Sequence, residues 1–134
     1  SDELASQQKE RGPMWVRIVS LKLRPGKLEE FKRLYSGQVI PALRKVKGCR
    51  YIYLTERSDR KDEVISVTSW ESKDDAENYE QSGLFARLLE SQQDTLSEFY
   101  RWKLKEQKLQ SGLAATSEDP TVEHFDVLVG KAFK

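Results

Sequence analysis

Apolar and polar residues along this chain change period several times, and each change marks an element. Met14 to Leu23 (MWVRIVSLKL) is rich in β-formers, with Trp15, Val19, Leu21 and Leu23 on one phase and Val16 and Ile18 on the other. It predicts a first strand, apolar on both faces at its start. Pro25-Gly26 closes it. From Lys27 the period becomes helical, with Leu28, Phe31, Leu34, Tyr35, Val39, Leu43 and Val46 on one stripe. Pro41 inside this stripe predicts a kink or a separate final turn, and Gly48 stands where a left-handed C-cap is wanted.

Cys49 to Glu56 (CRYIYLTE) alternates Tyr51, Tyr53 and Thr55 against Ile52 and Leu54, which predicts a second strand. A charged turn, RSDRKD, leads to a β-branched third strand at Glu63 to Trp70, so the pair should form an antiparallel hairpin. Ser72 with Asp75 makes a capping box. The helical region that it opens carries Ala76, Tyr79, Leu84, Phe85, Leu88, Leu89, Leu96, Phe99 and Tyr100, with Gly83 predicted to break it in two. Residues 105 to about 121 lose apolar period and gain Ser, Gly and Pro, as a loop does. The run 122–133 (VEHFDVLVGKAF) predicts a last strand, and polar residues 1–13 a flexible arm before a single domain at 14–134.

The resulting order β-α-β-β-α-β is the ferredoxin-like arrangement, an α+β fold whose antiparallel sheet carries both helices on one face. The other face must also be covered. Strand one is apolar on both sides, while Tyr51 and Tyr53 in strand two, and Ser66, Thr68 and Trp70 in strand three, stand opposite the aliphatic residues of their own strands. A second face of that character predicts a homodimer through facing sheets, as in a dimeric α/β barrel.

Composition narrows the function classes. The 134 residues fit one domain, and 23 basic side chains against 22 acidic ones leave no field to attract nucleic acid or an anionic membrane. No apolar run approaches the roughly 20 residues of a membrane span, and SDELASQQKE lacks a signal-peptide core, so a cytoplasmic protein is expected. One Cys and one His cannot make a usual metal set. Cys49 reads as a small buried hydrophobe or a reactive thiol, and His124 as a partly exposed strand residue or a lone ligand or base. No metal and no cofactor are expected.

Several of these residues carry a resemblance. Val16 through Pro25-Gly26, the Lys47-Gly48 helix end, and above all VISVTSWESKDDAENYEQSGLF at 64–85 are similar to the antibiotic biosynthesis monooxygenase (ABM) family. There a strand ends in Trp-Glu-Ser and a helix begins at once with an acidic, Ala-containing turn and an aromatic residue. Trp70, Glu71, Ser72, Ala76 and Tyr79 match that pattern, within a similarity that covers about Trp15 to Trp102.

The resemblance implies a dimeric ferredoxin-like domain and a small-molecule oxygenase, in some members cofactor-independent, in which an electron-rich phenolic substrate itself activates dioxygen. Trp70 resembles the orienting Trp of such enzymes, and Ser66 stands where they tend to carry Asn; Trp70 also suits a plain core position. Tyr35, Tyr51, Tyr53, Tyr79 and Phe85 are candidates to line a pocket for a small aromatic ligand, or to pack. Haem-degrading members ligate iron through a His on the second helical region, where this chain has Leu88 and Leu89, and their first-strand Asn has no counterpart in residues 14–24. Two classes stay open: a cofactor-independent oxygenase, and a non-catalytic homodimeric ligand-binding or structural module.

Overall fold

The structure is a computed structural model that describes residues 14–97, 121–131 and 133. The arm at 1–13, the connector at 105–120, Phe99 and Tyr100 lie outside the described residues. Strand β1 (Trp15–Lys22) is followed by helix α1 (Leu28–Leu34), a π-helical turn (Tyr35–Val39) and helix α2 (Ile40–Arg44). Then come β2 (Cys49–Glu56), β3 (Glu63–Trp70), α3 (Lys73–Gln81), α4 (Leu84–Ser91), a 3₁₀ turn (Gln93–Thr95) and β4 (Thr121–Asp126). The sheet order is β2-β3-β1-β4 and all three pairings are antiparallel. The α+β ferredoxin-like reading therefore holds.

Local chemistry explains the punctuation. Pro41 has no N–H and its ring crowds the carbonyl four residues earlier, so the first helix cannot run straight through it. The chain answers one turn upstream: Ile40 N–H reaches back to the Tyr35 carbonyl, a five-residue span, before α2 resumes. Gly48 and Gly83 take φ of +85°, which makes Gly83 a sharp break between α3 and α4. At Ser72 the hydroxyl accepts the Asp75 N–H at 3.1 Å, closing the first turn of α3.

Two expectations are corrected. The last strand ends at Asp126, not at 133, because its partner β1 begins at Trp15, directly opposite Asp126, and offers no further ladder. Among the described residues the second helical region ends at Ser91; Leu96 instead bridges to Leu23 and is fully buried.

The faces also need one correction. Ser66, Thr68 and Trp70 lie on the helix-covered face, opposite Val19, Arg17 and Trp15 of β1. Alternation gives each strand two phases but not which one turns inward; the hairpin register, with Tyr53 opposite Val67 and Ile52 opposite Thr68, settles it. The uncovered face carries Val16 and Ile18, Tyr51 and Tyr53, Ile65 and Val67, and Phe125. Tyr51, Tyr53 and Phe125 are exposed there by 70%, 53% and 45%. The core lies on the other side, where Val19, Leu21, Leu23, Phe31, Val39, Leu43, Val64, Trp70 and Leu89 are buried. No helix among the described residues is long and apolar enough to cross a membrane.

Candidate functional site

The helices and sheet do not close evenly. Where α1, the π turn and α2 face the β2–β3 hairpin, a cavity of about 430 Å³ opens between the layers. Leu28, Ile40, Ile52, Leu54 and Val64 make it mainly apolar, and Lys32 and Glu56 add charge to its lining. The wider π turn matters here, because Tyr35 and Ser36 within it and Ile40 just after it all line the space. Its size and lining suit a small, mostly apolar molecule.

Tyr35 carries the polar chemistry of this half. Its hydroxyl shares a hydrogen bond of 2.7 Å with the Ser66 hydroxyl, across 31 residues of sequence. Burial pushes the phenol up to about 12, with the Ser66 bond pulling the other way and Cys49 adding to the rise. Tyr35 thus stays a neutral hydrogen-bonding group throughout the neutral pH range. Cys49 lies near it, and burial raises that thiol to about 11, so the reactive-thiol option has no lowered pKa behind it.

Of the predicted site residues, Tyr35 lines the cavity, Tyr53 borders it from the outward phase of β2, Ser66 backs it through Tyr35, and Tyr51 borders a smaller hollow of about 170 Å³ beside Cys49 and Arg44. Trp70, Tyr79 and Phe85 gather elsewhere, under α3 and α4. Trp70 is wholly buried, stacks on Tyr79 with ring centroids 5.4 Å apart, and donates its indole N–H to Thr68 Oγ1 at 2.8 Å. Phe85 lies 6.1 Å beyond Tyr79. Burial raises the Tyr79 phenol further still, against the pull of Arg17.

Arg17 was not among the residues that sequence reasoning singled out. It is only 2% exposed, its guanidinium lies 4.1 Å over the Phe85 ring and 5.2 Å over Tyr79, and its Nε donates to Glu80 Oε2 at 2.9 Å. Glu80 Oε1 stands 3.0 Å from His124 Nε2, and His124 Nδ1 accepts the Trp15 indole N–H at 2.8 Å. The signal for this chain was available: Arg17 sits on the same phase of β1 as Trp15, Val19, Leu21 and Leu23, and a charge on an inward phase needs a partner. Among the described residues no group of three or more His, Cys, Asp or Glu could hold a metal ion.

A family model described as "Antibiotic biosynthesis monooxygenase" matches residues 14–91. A search of curated proteins finds no significant match. Among solved structures, a provisionally assigned antibiotic biosynthesis monooxygenase of Bordetella bronchiseptica superposes with a TM-score of 0.64 at 19% identity, over 87% of this chain and 99% of its own. A Nitrosomonas europaea protein of unknown function gives 0.63 at 11% identity, over 92% and 98%. The ActVA-Orf6 monooxygenase of Streptomyces coelicolor, solved with the ligand nanaomycin D, gives 0.58 at 17% identity, over 91% and 94%. Identities this low carry the fold and not the chemistry.

Proposed function

This chain belongs to the antibiotic biosynthesis monooxygenase family, and from that premise we propose that it binds a small aromatic molecule in the cavity beside Tyr35 and oxidises it with dioxygen. The observation that supports this is the cavity itself, mainly apolar, with one phenol–hydroxyl pair at its edge. A similar fold holds the ligand nanaomycin D in the Streptomyces protein. In the proposed reaction an electron-rich phenolic methylene loses two hydrogens and gains one oxygen atom, and the second oxygen atom leaves as water. The substrate supplies all the electrons, so the balance requires no added reductant. Tyr35 with Ser66 serves in this reading as the polar contact of the site, while Trp70, Tyr79 and Phe85 form a stacked wall in the neighbouring half of the sheet face.

The raised phenols and thiol favour a second reading. Tyr35, Tyr79 and Cys49 all keep their protons at neutral pH, so none of them is poised as a general base. That is the state expected of a binding module without turnover.

Assembly belongs to the same proposal. The uncovered sheet face, with Val16, Ile18, Ile65 and Val67 flanked by Tyr51, Tyr53 and Phe125, would pack against its equivalent in a second copy. We place the protein in the cytoplasm, where its single thiol would stay reduced.

Ser36→Trp tests the site, since Ser36 is exposed and lines the cavity. With a hydroxyanthrone as probe, the parent should bind and consume dioxygen, and the variant should lose binding at least about tenfold, or about 1.4 kcal/mol, while still folding. Binding without oxygen uptake leaves the module reading; equal binding by parent and variant removes the cavity from the account. Sedimentation tests the assembly separately: a dimer is expected, and Val67→Lys should turn it into a monomer of unchanged secondary structure.

A further inference from the structure

The chain of side chains from Trp15 to Arg17 plays no part in the cavity reading, yet it constrains the state of the molecule's one histidine. An indole N–H can only donate. At 2.8 Å from Trp15 Nε1, His124 Nδ1 must therefore present a lone pair. The ring proton then sits on Nε2, facing Glu80 Oε1 at 3.0 Å. Glu80 uses its other oxygen on Arg17, and Arg17 lies over Phe85 and Tyr79. β4 contributes no side chain to the buried core. Among the described residues, His124 is the one β4 side chain that makes a polar contact.

We propose that His124 is a protonation-gated positioning residue, which in its neutral Nε2–H form latches β4 to Trp15 and, through Glu80 and Arg17, fixes the Tyr79–Phe85 wall. Protonation places an N–H on Nδ1 against the indole N–H, so the Trp15 contact opens while the Glu80 contact persists as an ion pair. The charged groups facing the ring act in both directions. Arg17 on β1 and Lys73 on α3, whose Nζ lies 5.7 Å over the Trp15 ring, oppose a further positive charge. Glu80 on α3, and Asp126 opposite Trp15 on β4, favour it. Glu80 is already shared with Arg17, so the imidazolium gains only part of a carboxylate while it loses the indole.

The full chain labelled with nitrogen-15 in its His and Trp rings tests this without any ligand. At about pH 8 the imidazole should show the Nε2–H tautomer, and the Trp15 indole proton, assigned by its loss in Trp15→Phe, should be protected from exchange. At about pH 5 that protection should fall at least about tenfold relative to free indole, and the ring signals of Tyr79 and Phe85 should shift with the same midpoint as His124. His124→Gln offers an oxygen to Trp15 and an amide to Glu80 but does not titrate, so its Trp15 proton should stay protected at both pH values; in His124→Phe it should be exposed at both. An Nδ1–H tautomer at about pH 8 overturns the proposal. Loss of protection in His124→Gln identical to the parent's overturns the gating, and Tyr79 and Phe85 signals that ignore the titration overturn the positioning. Because none of these readouts involves substrate, they stand or fall separately from the proposed oxidation.

Discussion

The two halves of the covered sheet face use the same layers to opposite ends. Beneath α1 and α2 the layers stand apart around a cavity, while beneath α3 and α4 they meet through Trp70, Tyr79, Phe85 and Arg17. The inward row of β3 shows the gradient: Val64 lines the cavity, Ser66 and Thr68 follow, and Trp70 ends the strand in the packed half. Side chains of short reach leave space between helix and sheet, and long flat ones fill it. A site in this fold thus comes from what one end of a strand omits as much as from what it carries.

The sharpest way to break that comparison is to truncate one residue in each half. Trp70→Ala removes a fully buried indole, its stack on Tyr79 and its bond to Thr68, and should cost about 4 kcal/mol in urea unfolding. Leu54→Ala, beside a space that already exists, should cost about 1–2 kcal/mol. Equal costs would mean that the two halves are packed alike.

The next effect separates charge from packing in the filled half. Glu80→Ala strands the buried Arg17 guanidinium and should cost about 2–3 kcal/mol, below the full range for a buried pair because Glu80 is 26% exposed. Arg17→Met keeps a long side chain over Phe85 and removes the charge together with Nη2, which has no hydrogen-bond partner. It should stay within about 1 kcal/mol of the parent. If Arg17→Met proves the costlier change, the ion pair stabilises this half beyond what packing supplies.

The same contrast marks how far the sequence could be read. β2 and β3 were legible to the residue, because a charged turn separates two alternating runs and local pattern decides such elements. Ser72, Gly48 and Gly83 were legible as caps and breaks for the same reason. Which phase of β3 faces inward was not, since register across the hairpin is a pairing property. The cavity was legible only as a set of aromatic candidates. Tyr35 lines it, Tyr53 borders it from the outward phase of β2, and the others were separated from it by contacts that no spacing encodes, such as Trp70 with Tyr79. His124 was visible as the lone imidazole, but its partners lie 109 residues away at Trp15 and on another element at Glu80.

An effect of similar size comes from alkaline pH and reads the cavity half. Tyr35 ionises at about 12 in the fold against 10.0 for the free side chain, so between those values the unfolded chain has released a proton that the folded chain still holds. Stability must then fall as pH rises through this window, by on the order of 2–3 kcal/mol for Tyr35. Tyr79 adds to the fall in the same direction. Thermal unfolding of Tyr35→Phe should show a flatter decline above about pH 10 than the parent. An unchanged slope would mean that Tyr35 is not the group whose burial opposes ionisation.

The smallest effect isolates the Tyr35–Ser66 contact at the edge of the cavity. Ser66→Ala leaves the Tyr35 hydroxyl without its partner, and Tyr35→Phe does the same to Ser66, so each should cost about 1 kcal/mol. The double variant has no polar group left to strand and should cost less than the sum, giving a coupling of about 0.5–1.5 kcal/mol in a double-mutant cycle. The same cycle on hydroxyanthrone affinity distinguishes two uses of the pair. If the hydroxyls serve only each other, affinity stays unchanged in all four proteins. If the pair turns a proton toward a bound phenol, affinity falls in both single variants by a few-fold and falls no further in the double, because either hydroxyl alone has lost the partner that orients it.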